Sequence, residues 1–191
     1  MTNKERFENY VRTYITRSDV EPFLKDLEKN GFYDEFASTT YHCNYKHGLL
    51  QHTLNVIEYA LKLADTFESN ISRESIVLCA CVHDIGKAYN YYVPNLLKSG
   101  KVSGSKPKKI NPGLMIKSHA MRSLHIISKF FELSESEKVC ILSHDGWYEN
   151  SNREYMLNID ELLYLIHSSD LYVARFVEEV RDYKGGEEIE L

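Results

Sequence analysis

The sequence predicts an all-α single domain, and three observations carry that reading. Apolar residues recur at helical spacing along most of the chain, capping pairs open several of those stretches, and 191 residues of 43% hydrophobic content suit one domain with a sizeable core. The first stripe is Phe7, Tyr10, Val11, Tyr14 and Ile15, at i, i+3, i+4, i+7 and i+8. Ser18 and Glu21 form a capping-box pattern with Pro22 still in the first turn, opening a short helix through Phe23, Leu24 and Leu27 that Asn30-Gly31 should end. A polar, aromatic connector follows over 33–47. The third helix, 48–67, carries Leu49, Val56 and Leu63 on one face and Leu50, Leu54, Ile57 and Leu61 on another, so it should be central. The fourth, 72–83, is apolar nearly all round and should be buried. Residues 87–117, with Gly100, Gly104, Pro107, Pro112 and Gly113, read as a long loop with room for a short hairpin. Helix resumes over 118–131, and Ser134 with Glu137 caps another through Val139, Ile141 and Leu142. A loop over 144–158 precedes a last long helix, 160–182. The reading is thus N-terminal helices 1–40 packed on a core of 41–182, with 183–191 as a disordered acidic tail.

Composition narrows the function classes. The longest purely apolar run, 76–82, is far short of the roughly 20 residues that span a bilayer. The N-terminus MTNKERFENY lacks the apolar stretch of a signal peptide. Cys43, Cys79, Cys81 and Cys140 show no framework spacing, and three lie in apolar stretches as small hydrophobes. A cytoplasmic location without membrane contact is the expectation. Net charge is −5 but unevenly spread. Residues 85–131 contain no Asp or Glu and nine bases, among them Lys87, Lys117 and Arg122. Such a block suits an anion-facing surface on an acidic protein, or simply a solvated lysine-rich loop.

Candidate chemistry collects at helix ends and on apolar faces. His83-Asp84 ends the buried fourth helix, where an ionised Asp is costly unless paired, hydrogen-bonded or metal-bound. His52 shares a face with Leu49 and Val56, and Asp170 lies between Ile166 and Val173. His119 opens one helix and His144 closes the next. Helices can gather these six side chains from distant positions, and a cation explains them together better than six separate structural roles.

In this order the residues resemble the H…HD…D pattern of the HD-domain metal-dependent phosphohydrolases. His52 sits in HGLLQHTLNV, His83-Asp84 in HDIGK and Asp170 in HSSDLYVARF; SHDGWYE is similar to the S-H-H-G segment in HD domains of certain bacterial 3′→5′ exoribonucleases. The resemblance covers residues 41–177. It implies an HD-type helical bundle with the long basic loop between the HD motif and the next helix. It also implies a metal held by His52, His83, Asp84 and Asp170. His119 and His144 resemble the binuclear branch, in which Asp84 would bridge two ions. Mixed His and carboxylate ligation suits Mn²⁺ or Fe²⁺, with Zn²⁺, Co²⁺, Mg²⁺ or Ni²⁺ also compatible. The implied activity is hydrolysis of a phosphoester or phosphoanhydride of a nucleotide or short nucleic acid by metal-activated water. Lys87 matches a family lysine that would neutralise a phosphate oxygen, a structural salt bridge being its alternative. Lys117, Arg122 and Trp147 are the further substrate-contact candidates; Trp147, Tyr148 and Tyr155 could stack on a base or pack on the last helix. Asp145 departs from the pattern, standing where relatives often have a second His: it could ligate, orient His144, or start the turn. His42 and His47 could touch substrate or serve the connector, and His125 and His167 match no pattern. A non-catalytic nucleotide-binding module and a diiron HD oxygenase remain as rival classes. No protein partner is implied, and oligomeric state is left open.

Overall fold

Apolar helix faces without partners must be buried against one another, and α1 (Asn3–Tyr14) shows how the chain begins to do so. A reciprocal capping box opens it: the Glu5 N–H donates to Thr2 Oγ1 at 3.2 Å, and the Thr2 N–H donates to the Glu5 carboxylate at 2.7 Å. Helix α2 (Val20–Lys29) departs from expectation at its start, because the Ser18–Glu21 box does not form and Asp19 stands at the cap without a side-chain bond. Glu21 is engaged elsewhere: it accepts from Arg12 Nε of α1 at 2.7 Å. Gly31, at φ 78°, ends α2 in the left-handed conformation that suits glycine. The computed structural model describes residues 1–180, so the tail expected over 183–191 lies outside the described residues.

Helices α3 (Gly48–Thr66) and α4 (Arg73–Val82) form the centre. Residues 76–82 of α4 are all fully buried, and α3 buries Leu49, Leu54, Val56, Ile57, Ala60 and Ala64. Each large aliphatic so placed contributes about 1.5–3 kcal/mol. One contiguous apolar cluster joins them to Phe7 and Val11 of α1 and to Phe23 and Leu27 of α2. It extends to α5 (His119–Ile127), α6 (Glu135–Ser143) and α8 (Glu161–Tyr172), with a short α7 (Arg153–Leu157) inside the expected 144–158 loop.

One expectation is met here and two need correction. The 87–117 segment forms the short hairpin for which the sequence left room: β1 (Tyr92–Pro94) and β2 (Lys108–Ile110) pair antiparallel, Tyr92 opposite Ile110. Tyr91 and Tyr92 anchor this hairpin against Phe36 in a small second cluster. The helix expected over 118–131 stops at Ile127, where the Ser128 hydroxyl donates back to the Leu124 carbonyl at 2.7 Å and Phe131 turns onto Phe23. The last helix ends at Tyr172 rather than running to 182. It widens into a π-helical turn over Val173–Val177, closed by the Glu178 N–H donating to the Val173 carbonyl at 3.0 Å.

Two local devices hold the bundle where the site depends on it. The first is Glu137, 1% exposed, which closes the α6 capping box and accepts from Arg17 Nη2 at 2.6 Å and the Ser75 hydroxyl at 2.8 Å. Burial raises its pKa, yet the Arg17, Ser134 and Ser75 hydrogen bonds outweigh this and hold the carboxyl below its ordinary 4.5. A depressed folded-state pKa gives stability that is present above 4.5 and lost as pH falls through the folded value. The stability gap between wild type and Glu137→Gln is therefore expected to be full near neutrality and to close below about pH 4.5, read by urea denaturation across pH.

The second device is Gly86. Its N–H donates to Ser123 Oγ at 2.8 Å, its carbonyl accepts from Arg122 Nε at 3.0 Å, and a Cβ there would collide with the His119 carbonyl oxygen. Only glycine lets the turn after α4 lie this close to the start of α5. Gly86→Ala is expected to cost about 1–3 kcal/mol by denaturant titration, because backbone on both sides must shift.

Candidate metal centre

Two helices end in the same way, and the site is built on those ends. The last carbonyls of a helix lack intrahelical donors. At the end of α4 the His83 Nδ1–H donates to the Ala80 carbonyl at 2.9 Å, and at the end of α6 the His144 Nδ1–H donates to the Ile141 carbonyl at 2.8 Å. Each bond places the Nδ1–H on the carbonyl and orients Nε2 away from its helix. His52 is oriented similarly from mid-α3: its Nδ1 lies 3.0 and 3.1 Å from the two carboxylate oxygens of Glu178.

These nitrogens converge on Asp84, which is 2% exposed. Asp84 Oδ2 lies 3.5 Å from the Nε2 atoms of both His52 and His83. Oδ1 lies 3.3 Å from His119 Nε2 and 3.5 Å from His144 Nε2. Asp170 adds an oxygen 3.2 Å from His52 Nε2. The structure thus brings all six expected side chains together, with Asp84 between two histidine pairs.

Electrostatics set the protonation pattern. Burial pushes His83 down to about 4. Burial also opposes charge on His52, yet Glu178 and Asp170 outweigh it and raise His52 to about 10. His144 reaches about 10 by the same contest, with Asp145 and Asp84 overcoming burial. Asp84 stays well below the usual carboxylate range despite burial, chiefly through Lys87, whose Nζ donates to Oδ2 at 2.6 Å. Asp170 is held low against burial by its hydrogen bond with His52, and Asp145 by His144 and His119.

The residues present fit a divalent cation. His52 and His83 place their Nε2 atoms 3.1 Å apart, and His119 and His144 place theirs 3.3 Å apart. At such distances each pair shares a proton, which the raised His52 and His144 supply, and a cation can take that proton's place. Among the described residues, Asp84 Oδ1, buried and facing the second pair, makes no well-aligned hydrogen bond, which is costly for a carboxylate oxygen. Ligand atoms of His52, His83 and Asp84 lie within 4.8 Å of one another, as do those of Asp84, His119 and His144. Imidazole and carboxylate donors together suit a first-row divalent ion.

The remaining candidates are placed less uniformly. Asp145 both starts the turn after α6 and turns its carboxylate to the cluster, Oδ2 lying 3.2 Å from His119 Nε2. The Arg122 guanidinium clamps backbone: Nε donates to the Gly86 carbonyl and Nη2 to the Tyr89 carbonyl at 2.9 Å. Lys117 is exposed two residues before His119, and Trp147 is 57% exposed two residues after Asp145. Tyr148 holds the Arg175 guanidinium at its hydroxyl, 2.7 Å away, and Tyr155 is partly exposed on α7. His47 faces the connector, its Nδ1–H donating to the Tyr33 carbonyl at 2.9 Å. His42 packs its ring 4.7 Å from that of His52, with Nε2 buried and, among the described residues, without a hydrogen-bond partner.

Two contributors were not among the sequence candidates. Glu178 is reached only because the chain leaves helix after the π-turn, and no local pattern marks it. His167 donates from Nδ1 to the His144 carbonyl at 2.8 Å, and its ring fills the space a side chain at Gly146 would need. Its spacing was informative, since 167 and 170 are i, i+3 neighbours on one helix face.

The HD domain family matches this chain over residues 49–175. The chain belongs to the HD-domain family. That span holds all six converging residues and Asp145, whereas Glu178 and His42 lie outside it. A dihydroneopterin 2′,3′-cyclic phosphate phosphodiesterase of Methanocaldococcus jannaschii is 42% identical to this HD-domain chain over 59 residues, 29% of the chain. That stretch is 24% of the relative's own length, so the chain spans about a quarter of the phosphodiesterase it matches. No solved structure matches.

Glu178 holds the imidazole that faces both Asp84 and Asp170, and partners of this kind typically tune metal affinity 10–100-fold. Glu178→Ala should weaken divalent-ion binding by roughly that factor in calorimetric titration, while Glu178→Gln, whose amide oxygen can still accept the Nδ1–H, should lose less.

Proposed function

We propose that this HD-domain chain is a divalent-metal-dependent phosphohydrolase that cleaves a phosphodiester of a nucleotide or short nucleic acid. The observation that carries the reading is the buried Asp84 carboxylate between two converging histidine pairs, with Oδ1 making no well-aligned hydrogen bond among the described residues. His52, His83, Asp84 and Asp170 would hold one ion, and His119 and His144 would share Asp84 to hold a second. Bound divalent ions supply Lewis acidity toward a phosphoryl oxygen and acidify water near neutral pH. Mn²⁺ or Fe²⁺ best suits the mixed donor set.

The protein's own groups supply charge, orientation and shape. Lys87 is pushed above its ordinary range because Asp84 outweighs the effect of burial, so it stays cationic beside the centre. Its ammonium can leave Asp84 Oδ2 for a phosphoryl oxygen once a cation neutralises that carboxylate. Glu178 and the Ala80 and Ile141 carbonyls hold three imidazoles in fixed orientations. The acid-free window around Lys117 suits an anionic substrate, and Trp147 offers a ring on which a base can stack. The cyclic-phosphate activity named for the Methanocaldococcus relative supports a diester. Four free, buried cysteines are consistent with a reducing cytoplasm, and among the described residues no helix is long and apolar enough to cross a membrane.

The test is a product assay of the full chain with added Mn²⁺. Substrates are 2′,3′-cyclic nucleotides, cyclic and linear dinucleotides, short RNA and DNA, and nucleoside mono- and triphosphates. Turnover of a diester, abolished with metal retention in Asp84→Ala, is the expected result. Wild-type rates in Asp84→Ala would sink the mechanism. Bound metal with no turnover of any substrate would favour a nucleotide-binding module or an oxygenase.

A further inference from the structure

The helix-ending His-Asp pair occurs twice in this chain, as His83-Asp84 after α4 and as His144-Asp145 after α6. Both histidines cap the carbonyl three residues back and aim Nε2 at the centre. The carboxylates that follow take different positions. Asp84 lies between the histidine pairs, whereas Asp145 flanks only the second pair: Oδ2 is 3.2 Å from His119 Nε2 and Oδ1 is 3.8 Å from His144 Nε2. These two nitrogens also face Asp84 Oδ1, the buried oxygen that makes no well-aligned hydrogen bond among the described residues. His119 and His144 therefore lie between carboxylate oxygens from two aspartates. On the other side of Asp84, His52 and His83 are grouped with Asp84 and Asp170 in the same composition.

We propose that Asp145 is the terminal carboxylate ligand of the second ion, making that half of the centre a chemical match of the first and less selective for Zn²⁺ over Mn²⁺ than a histidine there would make it. The inference rests on the two-ion reading above. Each half then has two imidazoles, the shared Asp84 and one carboxylate of its own, Asp170 or Asp145. Carboxylate donors suit harder, oxygen-preferring ions such as Mn²⁺, while an added imidazole suits Zn²⁺. A second histidine at this position would have made the second half imidazole-rich. The turn chemistry does not demand an acid at 145, since asparagine starts such turns equally well. Geometry alone would therefore leave Asp145→Asn harmless, and ligation would not.

The experiment titrates the metal-free full chain with Mn²⁺ and with Zn²⁺, reading stoichiometry by elemental analysis and affinity by calorimetry. Wild type, Asp145→Asn, Asp145→His and Asp170→Asn are compared, with thermal melts confirming that each folds. Wild type is expected to take two Mn²⁺ per chain. Asp145→Asn should weaken one of the two by at least about 10–100-fold and leave the other unchanged. Asp145→His, which restores a ligand without the charge, should regain two ions but shift the second toward Zn²⁺ by about tenfold or more. Two Mn²⁺ at wild-type affinity in Asp145→Asn would overturn the proposal, leaving Asp145 as a turn residue. Failure of Asp145→His to bind a second ion of either metal would also overturn it, because charge alone would then be acting. The underlying reading fails separately: a wild type that binds no divalent ion, or a chain whose single ion is lost only in Asp170→Asn, removes the two-ion centre itself.

Discussion

A buried carboxylate at the meeting point of five helices is the constraint on which the rest of this structure depends. Taking an ion such as Asp84 out of water costs several kcal/mol unless cations and donors replace its hydration. Lys87, one turn on, supplies the nearest positive charge, and imidazoles from α3, α4, α5 and α6 surround both oxygens. Their positions follow from packing. The fully buried α4 places His83-Asp84 inside the protein, and glycine at 86 lets α5 begin close enough for His119 to reach. The Arg122 clamp then ties α5 to the turn after the motif, so a residue inside the basic window serves architecture rather than charge presentation.

Helix ends do double duty here. A terminal carbonyl needs a donor, and an imidazole that supplies one is thereby oriented with its second nitrogen outward. His83 and His144 meet both needs with one hydrogen bond each. Stability and site geometry consequently draw on the same contacts. Loss of either ring would leave a buried carbonyl unsatisfied as well as a gap in the cluster.

Much of this was legible in the sequence because it depends on local spacing. Periodicity located α1, α3 and α4, and a residue type at a helix end marked His83, His119 and His144 before any contact was known. What misled was competition between equally good local options. Ser18 and Glu21 carry the right spacing for a box, but Arg12 lies nine residues before Glu21 and takes its carboxylate. The last helix reads as continuous to 182 because nothing in VARFVEEV breaks it, yet the chain leaves at Glu178, where a carboxylate is held by His52 and by the Asn55 amide at 2.9 Å. That choice is tertiary, across more than a hundred residues, and no window-based pattern reports it. The carbonyl contacts of Arg122 were hidden for a related reason: composition records a charge but not the carbonyls it will meet.

The uneven charge of the chain has a physical division of labour in the proposed reaction. Lys108 pairs with Glu35 and lies over the Phe36 ring, and Arg122 is committed to backbone, so these two bases of the window hold the hairpin and the α5 turn in place. Exposed lysines such as Lys117 act on an anion only within a Debye length, about 8 Å at physiological ionic strength, and their pull weakens as salt rises. Lys87 is different. Its side chain is only 13% exposed and faces a buried carboxylate, where screening is weak and each charge interaction is stronger than at the surface. A phosphate drawn in by the outer bases would meet, at the centre, a cation whose strength does not depend on solvent ions. Encounter and recognition thus fall to different lysines, set apart by burial rather than by residue type.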